Sequence, residues 1–217
     1  MYQNAYLLAE CLGGISESSV TSDQFGIITG IASKSVTNEV LDFLLDNGIG
    51  KYSKEKNLIS FSSSDRIRAS ILAVSLGADI QKVAYYLSWK DFEIFASEVL
   101  RNCGFHTMNN VRFVNPRAEI DIVATKLDFA LSIDCKHWAD NRYHKLSTPT
   151  RKQLQRTKRL LQDSPQFKAI VPVLLTIYPP YPHHSINLVP IVDINRFKVF
   201  IEEIETNLDK VYYMTND

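Results

Sequence analysis

The chain has 217 residues, 45% of them hydrophobic and 22% charged, with 24 basic residues balancing 24 acidic ones. That is the composition of an ordinary globular protein, long enough for one large domain or two modest ones. No run approaches the ~18 apolar residues of a membrane span, and Cys11, Cys103 and Cys135 are too scattered for a disulfide framework or a zinc site.

The opening MYQNAYLLAECLGGIS lacks the basic start and cleavage site of a signal peptide. With the odd cysteine count, this gives the expectation of a cytoplasmic protein with no membrane partner. QNAYLLAECL carries apolar residues at helical spacing and reads as the first helix. The following ISESSVTSDQFGIITGIAS is rich in Ser, Thr and Gly and reads as turn-prone. SVTNEVLDFLLDNGI sets Val36, Val40, Leu41, Phe43 and Leu44 on one stripe and stops at Gly48. In GKYSKEKNLISFS two short extended runs flank the polar turn KEKN, a hairpin signal. Two more helices start after Ser64 and near Asp79.

Helices followed by a hairpin resemble a winged helix-turn-helix domain over residues 1–88. The resemblance makes the helix near Ser35 the recognition helix, with Lys34, Ser35, Thr37 and Asn38 on its exposed leading turn, and Lys51 to Lys56 the wing. A helix N-terminus with such donors suits DNA. Seven basic against nine acidic residues in this part suit a protein contact equally.

Residues 89–217 form a second part. KDFEIFASEVLRNCGF predicts an amphipathic helix with Phe92, Phe95, Ala96, Val99 and Leu100 inward and Gly104 just past its end. Extended candidates follow in TMNNVRFV, EIDIVATK, FALSIDCKHW and AIVPVLLTIY. Between the last two, a helix is expected from near Thr150, with Leu154, Thr157 and Leu161 inward and Lys152, Gln155, Arg156 and Arg159 opposite. A short strand, INLVPIV, then leads to a closing helix N-capped by Asp193. The order αβββαβ is a compact α/β pattern with mixed strand pairing. Residues 141–168 hold eight basic residues against Asp163 alone, a local electrostatic footprint that also suits a solvated basic helix.

Two of these strands carry charges. Alternation puts Ser132, Asp134 and Lys136 on one face of the later strand, and Glu119 and Asp121 on one face of the earlier. If the strands are hairpin partners, three carboxylates and a lysine meet on one side. Clustered carboxylates repel one another unless a cation compensates them, and a hard divalent metal with oxygen ligands is the natural partner. Read singly, each is also an ordinary surface charge, with Asp134 and Lys136 an ion pair worth about 0–1 kcal/mol.

The pattern EIDIVA…SIDCKHW resembles the PD-(D/E)XK motif of the restriction-endonuclease-like nuclease superfamily, with Asp121, Asp134 and Lys136 as its residues. DFEIFASEVLRNCGF is similar to the helix that carries a further glutamate in the branch of modified-DNA restriction enzymes and archaeal Holliday-junction resolvases. That points to Glu93, with Glu98 as the alternative. The loop NPRAE before Asp121 lacks the glycines common in that branch.

The resemblance implies an α/β, restriction-endonuclease-like αβββαβ core behind the winged-helix-like part, and a metal-dependent DNA endonuclease leaving 5′-phosphate and 3′-hydroxyl ends. It implies Mg²⁺, with Mn²⁺ as substitute, on Asp121, Asp134, the Cys135 backbone carbonyl and Glu93. Lys136 would orient the water, and Gln153 and Glu119 are accessory candidates. Arg142, Lys145, Arg151, Lys152, Arg156 and Arg159 would hold DNA phosphates. Two symmetric cuts would require a homodimer. The alternative is a non-cutting DNA-binding or assembly module on a degenerate nuclease fold.

Overall fold

The stretch from Ile15 to Ser33 is more ordered than its Ser/Thr/Gly content predicts. It holds a short strand, β1 (Ser19–Val20), and a helix, α2 (Ser22–Thr29). The helix starts because Thr21 and Gln24 form a reciprocal capping box, each side chain bonding the other's backbone N–H. It stops at Gly30, whose φ of 71° costs a residue without Cβ little. The computed structural model describes residues 5–138, 145–179, 184–204 and 206–215. The chain divides into two units, Met1–Asp91 and Phe92–Asp217.

In the first unit, α1 (Ala5–Cys11) and β1 precede α2, then α3 (Lys34–Asp46) and a hairpin of β2 (Lys51–Ser53) and β3 (Leu58–Ser60). The three strands pair in the order β1-β3-β2, all antiparallel. Helices α4 (Asp65–Ser75) and α5 (Ile80–Tyr86) follow, and both pack on α1. Leu12, Ile15, Phe25, Val40, Leu44 and Ile49 are fully buried beneath these elements. On the leading turn of α3, Lys34, Ser35 and Asn38 are exposed as expected, and Thr37 is not. Thr37 is buried, its hydroxyl returned to the Ser33 carbonyl, while Lys34 pairs with Asp23 at 2.8 Å and Asn38 accepts from the Ser22 hydroxyl at 2.5 Å. The outer face also presents the exposed acids Glu39, Asp42 and Asp46.

The second unit is α/β, built on a mixed six-stranded sheet. The helix α6 (Trp89–Asn102) leads into β4 (His106–Phe113), β5 (Ala118–Lys126) and β6 (Phe129–Lys136), an antiparallel meander. The helix α7 (Ser147–Asp163) then crosses to β7 (Ala169–Thr176), which lies parallel to β6 as a long crossover allows. The predicted strand INLVPIV is instead a hairpin, β8 (Ser185–Ile186) and β9 (Val189–Asp193), because Asn187 and Leu188 take positive φ and turn the chain. The sheet order is β4-β5-β6-β7-β9-β8, closed by α8 (Ile194–Ile204). Asp193 Oδ1 accepts from the Asn195 N–H at 3.1 Å where that helix begins. No helix among the described residues is long and apolar enough to cross a membrane.

The helix α7 starts at Ser147, three residues before the expected Thr150, with Pro149 in its first turn, where a missing N–H is harmless. Its buried stripe is also rotated from the expected one. It runs through Thr150, Gln153, Thr157, Leu160 and Leu161, with Leu154 only half-buried. Leu160 and Leu161 join Val123, Ala130, Phe167 and Ile170 in one apolar cluster against the sheet. At the other end of the helix, Trp138 packs on Leu146, Leu174, Val189 and Ile191.

The capping box is the local signal that converts a polar stretch into α2. Thr21→Ala should lower the unfolding free energy by about 1 kcal/mol, read by urea titration of the whole chain. A midpoint equal to wild type would remove the cap from this account.

Candidate functional site

Asp134 lies on β6, the third of six strands, and is only 2% exposed. A lone carboxylate there would be too costly to stay ionised, so its neighbours decide what it is. Arg156, reaching in from α7, donates from Nη1 to Asp134 Oδ1 at 2.7 Å. The Lys136 ammonium is 2.5 Å from Oδ2, an ion pair by distance without hydrogen-bond alignment. Oδ2 is therefore, among the described residues, a buried oxygen with no hydrogen-bond donor. Lys136 Nζ also lies 3.4 Å from the Cys135 carbonyl oxygen.

The pairing of β5 with β6 runs from the hairpin turn to Ile122 opposite Ile133 and ends there. Beyond that point the Cys135 N–H donates to Asp121 Oδ2 at 2.7 Å, so a side chain takes the place of a ladder bond. Burial pushes the Asp121 carboxyl up from its ordinary range, and Asp134 adds to the shift, against the Cys135 N–H, Lys136 and Arg156. The Cys135 thiol is driven well above its usual value by burial and by Asp121, Glu93 and Asp134, so it stays protonated.

Glu93 interrupts the apolar stripe of α6, buried beside Phe92, Phe95 and Ala96. Burial raises its carboxyl to about 7, with further repulsion from Asp121 and Glu119, an opposing pull from Lys136 and the least effect from Asp134. Glu98, the alternative in the sequence, is half-buried and pairs with Arg101 one turn on. The geometry thus couples Glu93, Asp121, Asp134 and Lys136 to one another and leaves Glu98 outside. Glu119 shares the electrostatics, yet its carboxylate pairs with Arg112 at 3.1 Å across the β4–β5 ladder.

The expected basic face of α7 is divided. Lys145, Arg151 and Lys152 are exposed, as is Lys158, which the sequence reading passed over. Arg156 points into the acids. Arg159 stacks its guanidinium 4.8 Å from the Phe113 ring and donates to the Pro116 carbonyl at 3.0 Å. Arg142 lies outside the described residues. Gln153 is fully buried, its Nε2 donating to the Ser132 carbonyl at 2.7 Å and to the Ser132 hydroxyl at 2.9 Å. It ties α7 to the same strand face that carries Asp134. Ser132 is the residue that strand alternation put on one face with Asp134.

Known proteins add little to this geometry. No family model and no curated protein matches the chain. A crystal structure of a Vibrio cholerae protein is 15% identical, with a TM-score of 0.42 over 94% of this chain and 52% of its own. The structure of Can2 from Sulfobacillus thermosulfidooxidans in complex with cyclic tetra-adenylate is 13% identical, with a TM-score of 0.35 over 94% and 51%. The chain spans about half the length of either, and neither likeness is close enough to carry an argument.

The donor set tests whether a metal suits this site. Every candidate ligand atom is a hard oxygen, the carboxyls of Glu93 and Asp121 are both raised by burial and by neighbouring acids, and Asp134 Oδ2 accepts no hydrogen bond, which together fit a hard divalent cation. Among the described residues, however, no three His, Cys, Asp or Glu side chains are gathered closely enough to hold one as they stand. Two protein cations hold Asp134 instead.

A raised carboxyl has a sign in stability. The folded protein keeps a proton on Glu93 that the unfolded chain releases near pH 4.5. The resulting stabilisation is complete below that pH and is lost as pH rises through about 7. Glu93→Gln should therefore exceed wild type in stability at pH 8 by about 1–3 kcal/mol, and the gain should vanish by pH 4. Denaturant titrations at both pH values, with chelator present, would check this.

Proposed function

We propose that the chain is a divalent-metal-dependent endonuclease acting on DNA. The observation that carries the reading is the trio of Glu93, Asp121 and Asp134, two of them buried in the sheet and helix interior, set beside Lys136. A fold retains mutually repelling buried acids at a cost in stability, which is the signature of a site rather than of packing. Mg²⁺, or Mn²⁺ in its place, would be held by Asp121, Asp134, the Cys135 carbonyl and Glu93, and supplies charge that polarises a phosphate and acidifies a water.

The remaining roles belong to the chain. The Lys136 ammonium lies 2.5 Å from Asp134 Oδ2, able to orient the attacking water and to neutralise charge that develops on the phosphoryl oxygens. Lys145, Arg151, Lys152 and Lys158 offer exposed cations along the start and outer face of α7 for backbone phosphates. The ordering helix-α–βββ–α–β in the second unit, with mixed pairing, supports the restriction-endonuclease-like reading. In the first unit the order α1-β1-α2-α3-β2-β3 supports a winged helix, and the acids on the outer face of α3 favour a protein partner over DNA there.

A second reading has an observation of its own. Asp134 is already neutralised by two cations, which suits a non-cutting module built on a degenerate nuclease fold. Incubating wild type and Asp121→Asn with Mn²⁺ or Mg²⁺ and duplex, nicked, flap, junction and single-stranded DNA separates the two. The nuclease reading expects metal-dependent products that fall by about 100-fold or more in Asp121→Asn. Products from neither protein would favour the module. Binding should also weaken with salt, and Lys152→Ala should reduce the slope of log K against log salt by about 0.9 for duplex DNA. An unchanged slope would remove Lys152 from the contact.

A further inference from the structure

Arg156 belongs to no part of the motif, yet it makes the best-aligned bond to the buried Asp134, at 2.7 Å on Oδ1. Lys136 lies 2.5 Å from Oδ2 and 3.4 Å from the Cys135 carbonyl, so two protein cations occupy the oxygens to which the proposed metal would bind. No trio of acids is assembled around an open centre among the described residues. The site as it stands is balanced by its own side chains.

We infer that Arg156 is a substrate-binding cation that also sets the metal affinity of the site, a placeholder on Asp134 that turns to the DNA phosphate when a divalent ion arrives. The inference rests on the nuclease reading. Charge decides it. Glu93, Asp121 and Asp134 bring at most three negative charges, and Lys136 and Arg156 offset two. A divalent ion would leave the group net positive, and an incoming phosphate restores balance. Metal and phosphate therefore favour each other's binding, with Arg156 as the surplus charge that links them.

The opposite role, an outer support that orients Asp134 for the metal, suits a neutral group better. Gln153 is such a neutral group on the same helix, but its two bonds go to Ser132, two residues before Asp134 on the strand. Arg156 is also placed to move. About a quarter of its side chain meets solvent, and Lys152, one turn before it on α7, is exposed, so a swung guanidinium joins that basic face.

The test is Mn²⁺ binding, followed by the electron paramagnetic resonance signal of the free ion, for wild type, Arg156→Gln, Arg156→Lys and Asp121→Asn. Each is measured with and without a short duplex, against a DNA-only control. Without DNA, Arg156→Gln should bind Mn²⁺ about tenfold more tightly than wild type, and Arg156→Lys should stay near wild type. The duplex should tighten Mn²⁺ binding to wild type by a similar factor and leave Arg156→Gln unmoved. Equal affinity in wild type and Arg156→Gln, or a weaker one in Arg156→Gln, overturns the inference while Asp121-dependent binding leaves the nuclease reading standing. If Arg156→Gln fails to fold, absence of duplex-induced tightening in wild type overturns it. Mn²⁺ binding that is equally feeble in all four proteins overturns both.

Discussion

The second unit depends on the burial of one carboxylate in the middle of a sheet. Asp134 has Leu174 as its partner across the parallel β6–β7 ladder and is nearly sealed from water. Its ionised form survives only with compensating charge, and truncating one partner of such a pair leaves an uncompensated ion that typically costs 3–5 kcal/mol. The packing of α7 follows from this. The helix must present Arg156 at Asp134 and Gln153 at Ser132 while burying Leu160 and Leu161 in the cluster below. An apolar stripe centred on Leu154 would satisfy the last demand and fail the first two, which is why the helix sits rotated from the simplest wheel.

The same constraint shapes the strands. Regular pairing between β5 and β6 would bring Asp121 and Asp134 directly opposite each other, the worst arrangement for like charges. The ladder ends one pair short, and the Cys135 N–H that it would have used goes to the Asp121 carboxylate. On β4, Asn110 stands at the level of Asp121, between the pairs Asn109–Ile122 and Val111–Ile120, and takes a positive φ of 55°. Local departure from ideal strand geometry thus coincides with the acids. Such sites are where sequences are expected to trade local regularity for a role.

Periodicity made much of the architecture legible. Helices α3 to α6, the meander and its hairpin partners could be read because their apolar residues repeat at 3.6 or at 2, and that alternation also put Asp121, Asp134 and Lys136 on one face. What could not be read was set by long-range partners. Whether Arg156 faces solvent or Asp134 depends on a partner 22 positions earlier in the chain. The burial of Thr37 and Gln153 depends on what α2 and β6 bring against them. The helix α2 was hidden for a different reason, because its start is a hydrogen-bond motif inside a stretch whose composition resembles a loop. The paired strands β8 and β9 were read as one because their turn uses Asn187 and Leu188 rather than glycine.

The two units divide their charge in a way that bears on how a nucleic acid would be handled. On α3 the outward acids Glu39, Asp42 and Asp46 would repel phosphates, and Lys34 already serves Asp23. The exposed lysines and arginine of α7 carry the basic excess, with Lys152 one turn before the Arg156 that reaches Asp134. Electrostatic capture and chemistry would then share a single helix, with its inner edge reaching the site and its outer face meeting the backbone. On that arrangement the neutral net charge of the chain is no argument against DNA, because attraction falls off within a Debye length of about 10 Å and is felt locally. On the proposed reading, the helix that fixes the sheet would also be the one that brings a phosphate to it.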